Sequence, residues 1–466
     1  MNPLKGFLEA NSIVILGASQ KRQSVSALMI ESLLRGRFEG GIYLVNPKGG
    51  ELFGLKVYTN IMSIDASVDL AIILLPPLAV ADAITLCAQK GIHSVIIVSD
   101  GLDELLEEGK TIIKMVLEVA RKNGVRIIGP DSMGVVNTEK RLSTSFVPID
   151  QFTEGGLSLI SQTGLFTGAA MVWMLSVHRL GISKSIDLAK KCDINEIDCL
   201  EYLREDPSTR VIGMHIEQVA DGKRFVEVAR RTSLLKPILV IKAGKTEIAA
   251  RAIASHTGSM AGKDEIYEGI FAQTGILRVH DVEEIVDLAK AFIYLPLLKG
   301  ENIGIITYSG GWGALAADLC DEFGLSVAGL SETTLRKLKD IVPSWRETTN
   351  PVDIWPPQGL NTSKTYQAAI RAVVEDVRVD GLLVIAPAVT SPFLDALPAI
   401  KEEVSRHKEK PVVTWAVGDK DGAEKAFSVM TEHCIVYPTV RRAIRALSAL
   451  YMYHKYLESF SYVPEN

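Results

Sequence analysis

Short runs of Ile, Val and Leu with no polar alternation recur along this chain, each followed by a small-residue turn and then a helical pattern. "SIVILGAS" (12–19), "GLSLISQTG" (156–164) and "NIGIITYSGG" (302–311) each open such a block. Further runs follow: "VDLAIILLPP", "HSVIIVSD", "VRIIGP", "VIGMHIE", "PILVIKAG", "DGLLVIAP" and "PVVTWAVG". A strand with one wet face alternates polar and apolar side chains, so an unbroken run predicts burial on both faces, beneath helices. Segments such as "DVEEIVDLAKAFIYL" and "SKTYQAAIRAVVEDV" supply those helices. The chain therefore reads as α/β, with three stacked units each built on a parallel sheet.

At 466 residues the chain exceeds one ordinary core. Turn-rich stretches at 129–156 and 294–302 place domains at roughly 1–130, 150–296 and 300–466. The blocks are of domain size and share no short period, so they do not form a solenoid.

Composition removes several function classes. A net charge of -6, with Lys and Arg interspersed among Glu and Asp, leaves no nucleic-acid footprint. Five scattered cysteines, none in CxxC spacing, argue against a disulfide framework and a structural zinc site and fit a reducing cytoplasm. No metal-ligand cluster is visible. The longest apolar stretch, "AIILLPPLAV", is short and broken by Pro76 and Pro77, and no export signal precedes the first strand, so neither membrane spanning nor secretion is expected.

In open α/β sheets anions bind where a strand's carboxyl end turns into a helix, because free backbone N–H groups and the positive end of the helix dipole converge there. In the first unit Gly17 permits close approach, Ser19 offers a cap or a phosphate contact, and Lys21 and Arg22 bring positive charge. Asn46, Pro47 and Lys48 end a second strand and Pro76 a third, which together favour a nucleotide-sized ligand. In the second unit Ser161, Gln162, Thr163 and Gly164 precede a helix expected from about Leu165. Without a basic side chain nearby, this turn suits a transient phosphate. Both turns would also serve as plain N-caps.

Two motifs mislead. "AGKT" (243–246) resembles the end of a Walker A loop, but Leu239 stands where its leading glycine belongs. "GWGALA" (311–316) reads as GxGxxA with Glu332 downstream, a weak dinucleotide signal. No GxSxG elbow occurs. His256 lies in "ASHTGSMAG" (254–262), read as a polar loop whose small residues give the imidazole no apolar wall. Such a ring can carry a phosphoryl group when a carboxylate orients it, and Glu217, ending the strand of "MHIEQVAD", is the candidate.

Taken together, "VILGAS", "YLVNPK", "GPDSMG", "ISQTG", "DINEIDCLEYLREDP", "SHTGSMAGKDEIYEG" and "NPVDIW" resemble the α subunits of ADP-forming acyl-CoA synthetases, relatives of succinyl-CoA synthetase. The resemblance spans essentially the whole chain. It implies a Rossmann-like CoA-binding domain followed by two flavodoxin-like CoA-ligase domains. It gives CoA-binding roles to Gly17, Ser19, Lys21, Asn46, Pro47, Lys48 and Pro76, and phosphate binding to Ser161, Gln162, Thr163 and Gly164. The family's phosphorylated histidine falls on His256 and its stabilising glutamate on Glu217. Three motifs depart from the family pattern: "GPDSMG" for "GPNCLG", "SQTG" for "SQSG", and "YSGGWG" for "AGGPG", which leaves open what Trp312 and its turn do. No ATP-grasp segment is present, so the resemblance implies a separate β subunit that holds ADP or ATP with magnesium, in an α2β2 assembly. The substrates implied are a small carboxylic acid, coenzyme A and phosphate. Two other classes compete: a non-catalytic CoA-binding regulatory protein and an NAD-dependent oxidoreductase using "GWGALA".

Overall fold

The apolar runs become parallel strands in three sheets. The computed structural model describes residues 2–19, 21, 23–104, 111–149, 152–164, 166–257, 262–355, 361–389, 393–430 and 434–461, the side chains of 256, 257, 393 and 461 excepted. Two compact units divide the chain, Met1–Val282 and Glu283–Asn466.

The first sheet contains β1 (Ser12–Leu16), β2 (Gly41–Val45), β3 (Gly50–Leu52), β4 (Leu55–Tyr58), β5 (Leu70–Ile73), β6 (Ser94–Ile97) and β7 (Arg126–Ile128), in the order β3-β4-β2-β1-β5-β6-β7. All pairs are parallel except β3 with β4. From β1 the chain builds outward one way, then returns and builds the other way from β5. That reversal opens a crevice at the carboxyl ends of β1 and β5, the usual ligand position in a doubly wound sheet.

The second sheet contains β8 (Val135–Asn137), β9 (Leu142–Ser143), β10 (Leu157–Ser161), β11 (Ile182–Asp187), β12 (Val211–Ile216), β13 (Ile238–Lys242) and β14 (Leu277–Val279), ordered β14-β13-β12-β10-β11-β8-β9. Its five parallel strands follow the flavodoxin-like order, with reversal between β10 and β12. The short β8 and β9 close the edge as an antiparallel ladder on β11. One continuous core joins the first two sheets, running from Leu4, Phe7 and Ile13 through Ile128 and Val135 to Ile160, Ile212 and Val240. Turn residues at 129–134 thus link two sheets within one hydrophobic body.

The second unit carries β15 (Asn302–Thr307), β16 (Ser326–Val327), β17 (Val352–Asp353), β18 (Gly381–Ala388), β19 (Val412–Gly418) and β20 (Ile435–Tyr437), ordered β16-β15-β18-β19-β20 with β17 also on β15. It repeats the flavodoxin-like order around its own core of Ile306, Ile370, Val384 and Leu397. No helix among the described residues is long and apolar enough to cross a membrane.

The apolar runs read from the sequence are largely buried on both faces, whereas β2, β3, β4 and β16 stay partly exposed, and β11 buries a charge. Lys184 lies in the middle of β11 yet is 2% exposed; its Nζ donates to both carboxylate oxygens of Asp206 at 2.9 Å and to Ser183 Oγ at 3.2 Å. Thr209 donates to the same carboxylate and meets Ser158 Oγ at 2.7 Å. A buried charge persists only when fully paired. Lys184→Met leaves Asp206 buried without its cation and is expected to cost about 3–5 kcal/mol, read as a drop in the free energy of chemical unfolding, whereas replacing both partners with apolar residues should recover much of the loss.

Candidate functional site

Three strand ends meet at the crevice of the first sheet. Gly17 has φ +97°, and a Cβ there would stand 2.2 Å from the Leu74 carbonyl oxygen, so only glycine lets β1 turn this close to β5. Gly17 and Ala18 donate to Val45 O at 3.0 and 3.2 Å, while Asn46 Nδ2 donates to Ala18 O at 2.8 Å and Asn46 Oδ1 accepts from Lys48 N at 3.0 Å. One amide therefore ties the Gly17 turn to the Asn46–Lys48 turn. Across the crevice, Pro76 follows β5, and Ser99 staples that end by accepting from Leu75 N at 3.0 Å and donating to Leu75 O at 2.6 Å. Lys21, Pro47, Lys48 and Pro76 are exposed at this mouth; Arg22 lies outside the described residues. Ser19 does not cap the following helix. Its N–H donates to Ser26 Oγ at 2.9 Å, its hydroxyl accepts from Lys21 N, and Ser24 caps the helix Val25–Arg35 instead.

At the second crevice, Gln162 spans the reversal point. Its Oε1 accepts from Glu217 N at 2.7 Å and Gln218 N at 3.1 Å; its Nε2 donates to Gln218 O at 2.8 Å and toward Glu196 Oε2 at 3.4 Å. Gln162 and Glu217 are 2% and 3% exposed, so sequence positions 55 apart are locked together inside the protein. Ser161 Oγ donates to Thr163 O at 2.5 Å. The helix expected from Leu165 begins at Ala169; Leu165 itself lies outside the described residues. Packing delays it: a Cβ on Gly164 would meet Met133 Sδ at 2.2 Å, and Gly168, the N-cap, closes against Gly164 O.

His256 is in the last turn of the helix Glu247–Thr257, not in a loop, and its side chain lies outside the described residues. Four alanines in that helix supply the propensity that the small-residue reading took for a loop. Thr246 starts it by accepting from Ala249 N at 3.2 Å, which gives "AGKT" a capping role. Downstream, the helix Asp264–Thr274 is anchored by Arg278, which donates to Asp264 at 3.0 and 2.8 Å, and by Tyr267, whose hydroxyl accepts from Val219 N at 3.1 Å. That bond fastens the chain after His256 to the segment directly following Glu217.

Sequence reasoning missed the groups around this crevice. Asp187, at the end of β11 and in register with Ser161, accepts from Met133 N at 2.7 Å and Ala189 N at 3.3 Å. Burial nevertheless lifts its carboxyl from 3.8 to about 7. His215, in register with Ser161 from the other side, is pushed down to about 4 by burial and by Lys242, and its Nδ1 has no hydrogen-bond partner among the described residues. Burial also raises all five thiols, so no cysteine offers a thiolate nucleophile. Among the described residues no group of three or more His, Cys, Asp or Glu could hold a metal ion.

In the third sheet, "GWGALA" forms the first turns of the helix Gly310–Glu322. Trp312 packs edge-on against Trp415 at 4.8 Å between ring centroids. Glu332 opens a helix capped by Ser331 rather than ending a strand, so it lacks the position of a ribose-binding carboxylate.

The Asp187 shift has a testable sign. Between about pH 4 and 7 the folded carboxyl keeps a proton that the unfolded chain has released, so this group's stabilising contribution is full below about 4 and is lost as pH rises through about 7. The unfolding midpoint of Asp187→Asn, measured against the parent chain, is expected to rise with pH across that window and level off above it. A difference independent of pH would contradict the assignment.

Three family models match: a CoA binding domain over residues 11–138, a succinyl-CoA ligase like flavodoxin domain over 154–292, and a Ligase-CoA domain over 303–460. The chain is 38% identical over 460 residues to acetate–CoA ligase (ADP-forming) I subunit alpha of Pyrococcus furiosus, covering 97% of this chain and 98% of that one. It is 34% identical over 444 residues to acetate–CoA ligase (ADP-forming) I of Archaeoglobus fulgidus, covering 95% of this chain and 62% of that longer protein. The solved dinucleotide-forming acetyl-coenzyme A synthetase 1 of Ca. Korarchaeum cryptofilum, in complex with phosphate and ADP, superposes with a TM-score of 0.89 at 32% identity, covering 99% of this chain and 100% of that one. Similarity of this extent, over three domains in one order, places the chain in the family of ADP-forming acetate–CoA ligases, as an α subunit.

Proposed function

We propose that this α subunit interconverts acyl-CoA, ADP and phosphate with a carboxylic acid, ATP and CoA through an acyl phosphate and a phosphohistidine. Phosphate attacks the thioester carbonyl, the carbon–sulfur bond breaks, and CoA leaves as the thiol. His256 then attacks the phosphorus of the acyl phosphate, releasing the acid and holding the phosphoryl group until ADP accepts it. In this reading domain 1–130 binds CoA through Gly17, Ser19, Lys21, Asn46, Pro47, Lys48 and Pro76. Domain 150–296 holds phosphate on Ser161, Gln162, Thr163 and Gly164, and Glu217 orients the imidazole. The domain 300–466 completes the α subunit.

One observation carries the proposal: Gln162 joins the proposed phosphate loop to the backbone of Glu217 across the reversal point of the second sheet. Phosphoryl transfer depends on positioning and on preorganised donors, and a neutral amide fixes both strand ends without adding charge. The Korarchaeum relative's complex with phosphate and ADP supports the same ligands here. Nucleotide and magnesium belong to a separate ATP-grasp β subunit in an α2β2 assembly, and the unpaired thiols fit a cytoplasmic location.

Mass spectrometry after exposure to acetyl-CoA and phosphate should locate one phosphoryl group on His256. His256→Asn is expected to abolish that label and turnover while leaving CoA affinity unchanged. Undiminished turnover by this variant would overturn the mechanism, and CoA binding with no phosphorylated residue in the parent chain would return it to a non-catalytic CoA-binding role.

A further inference from the structure

The mechanism leaves one buried charged network without a task. Lys191 Nζ donates to Glu196 Oε2 at 2.9 Å and to the Gln218 carbonyl. The same two acceptors receive Gln162 Nε2. Glu196 is 2% exposed and the Lys191 side chain 11%, so this ion pair is nearly dry. Its members are delivered by two separate local devices. Asn195 caps the helix Glu196–Glu205 by accepting from Ile197 N at 2.9 Å and Asp198 N at 3.4 Å, while Asp198 answers to Asn195 N at 3.1 Å, and this reciprocal box fixes Glu196 as the first helical residue. Lys191 is in the left-handed region at φ +38°, two residues after Ala189 at φ +46°. Two non-glycine residues held in that region within one short loop are costly and persist only where their surroundings over-determine them.

We propose that Lys191 and Glu196 are positioning residues for Glu217. Lys191 clamps the Gln218 carbonyl and neutralises Glu196, Glu196 holds the Gln162 amide, and Gln162 holds the Glu217 and Gln218 N–H groups. The pair thereby sets where the Glu217 carboxylate meets the imidazole, and it keeps a second negative charge from opposing the phosphoryl group. This inference rests on the proposed role of Glu217.

The test uses the full chain with its partner subunit, acetyl-CoA and phosphate, and reads the single-turnover rate of His256 phosphorylation. Lys191→Met is expected to slow that step about 10- to 100-fold, the scale on which outer partners of a functional ligand act. CoA affinity should be unchanged and Lys191→Arg should recover most of the rate. Because both residues serve one network, Lys191→Met combined with Glu196→Gln should lose little more than Lys191→Met alone. A purely structural role would lower the unfolding midpoint while leaving the rate per folded enzyme unchanged, and that result would overturn the inference while phosphohistidine still forms in the parent. Failure of the parent to phosphorylate His256 would instead remove the mechanism and this inference with it.

Discussion

A single neutral side chain organises the second crevice. Gln162 uses its amide oxygen and one of its donors on the backbone at the end of β12, and turns its other donor toward Glu196, so the loop after β10 and the segment bearing Glu217 form one body. A parallel sheet leaves such ends open at a reversal point, because the connections leaving the two neighbouring parallel strands turn away from each other. Amides also join neighbouring segments away from the reversal points: Asn46 ties the Gly17 turn to the end of β2, and Asn350 accepts from Ile305 N at 2.9 Å and donates to Ile303 O and Ala328 O at 2.9 Å. An amide suits this work because it satisfies donors and acceptors together and adds no net charge, which at Gln162 suits the proposed phosphate site.

Electrostatics around the crevice follow the same economy. Burial favours a protonated carboxyl on Asp187 and an uncharged ring on His215, and the Lys191 ammonium matches the Glu196 carboxylate. Their pH slopes oppose each other: Asp187 loses its stabilising contribution as pH rises toward 7, whereas His215 loses its own as pH falls from 6.5 toward 4. The interior near the proposed phosphate loop is thus close to neutral, which lets backbone N–H groups act on an anion at low dielectric.

The sheets were legible in the sequence because double-sided burial writes itself directly into apolar runs such as "VIGMHIE" and "DGLLVIAP". Strand-end residues were legible for a related reason, since Gly17, Asn46 and Gln162 stand immediately after such runs. Helix starts were not. Ser19 looked like a cap, but its N–H is taken by Ser26, and the helix after Gly164 waits until that glycine has cleared Met133. "ASHT" read as loop because small polar residues signal turns, while the alanines before it favour continuing the helix. Asp187, Lys191 and Glu196 were missed because the groups that tie them to the crevice lie far along the chain: Met133 N donates to Asp187, and Gln162 and Gln218 join the Lys191–Glu196 pair, whose own members are five residues apart.

The most direct measurement is a crystal structure of the chain with its β subunit, grown with CoA and phosphate. The account predicts phosphate density against the backbone of residues 161–164 with the Gln162 bridge intact, the His256 ring turned toward Glu217, and CoA across the ends of β1 and β5. Phosphate bound elsewhere, with the Gln162 amide released from Glu217 and Gln218, would contradict it.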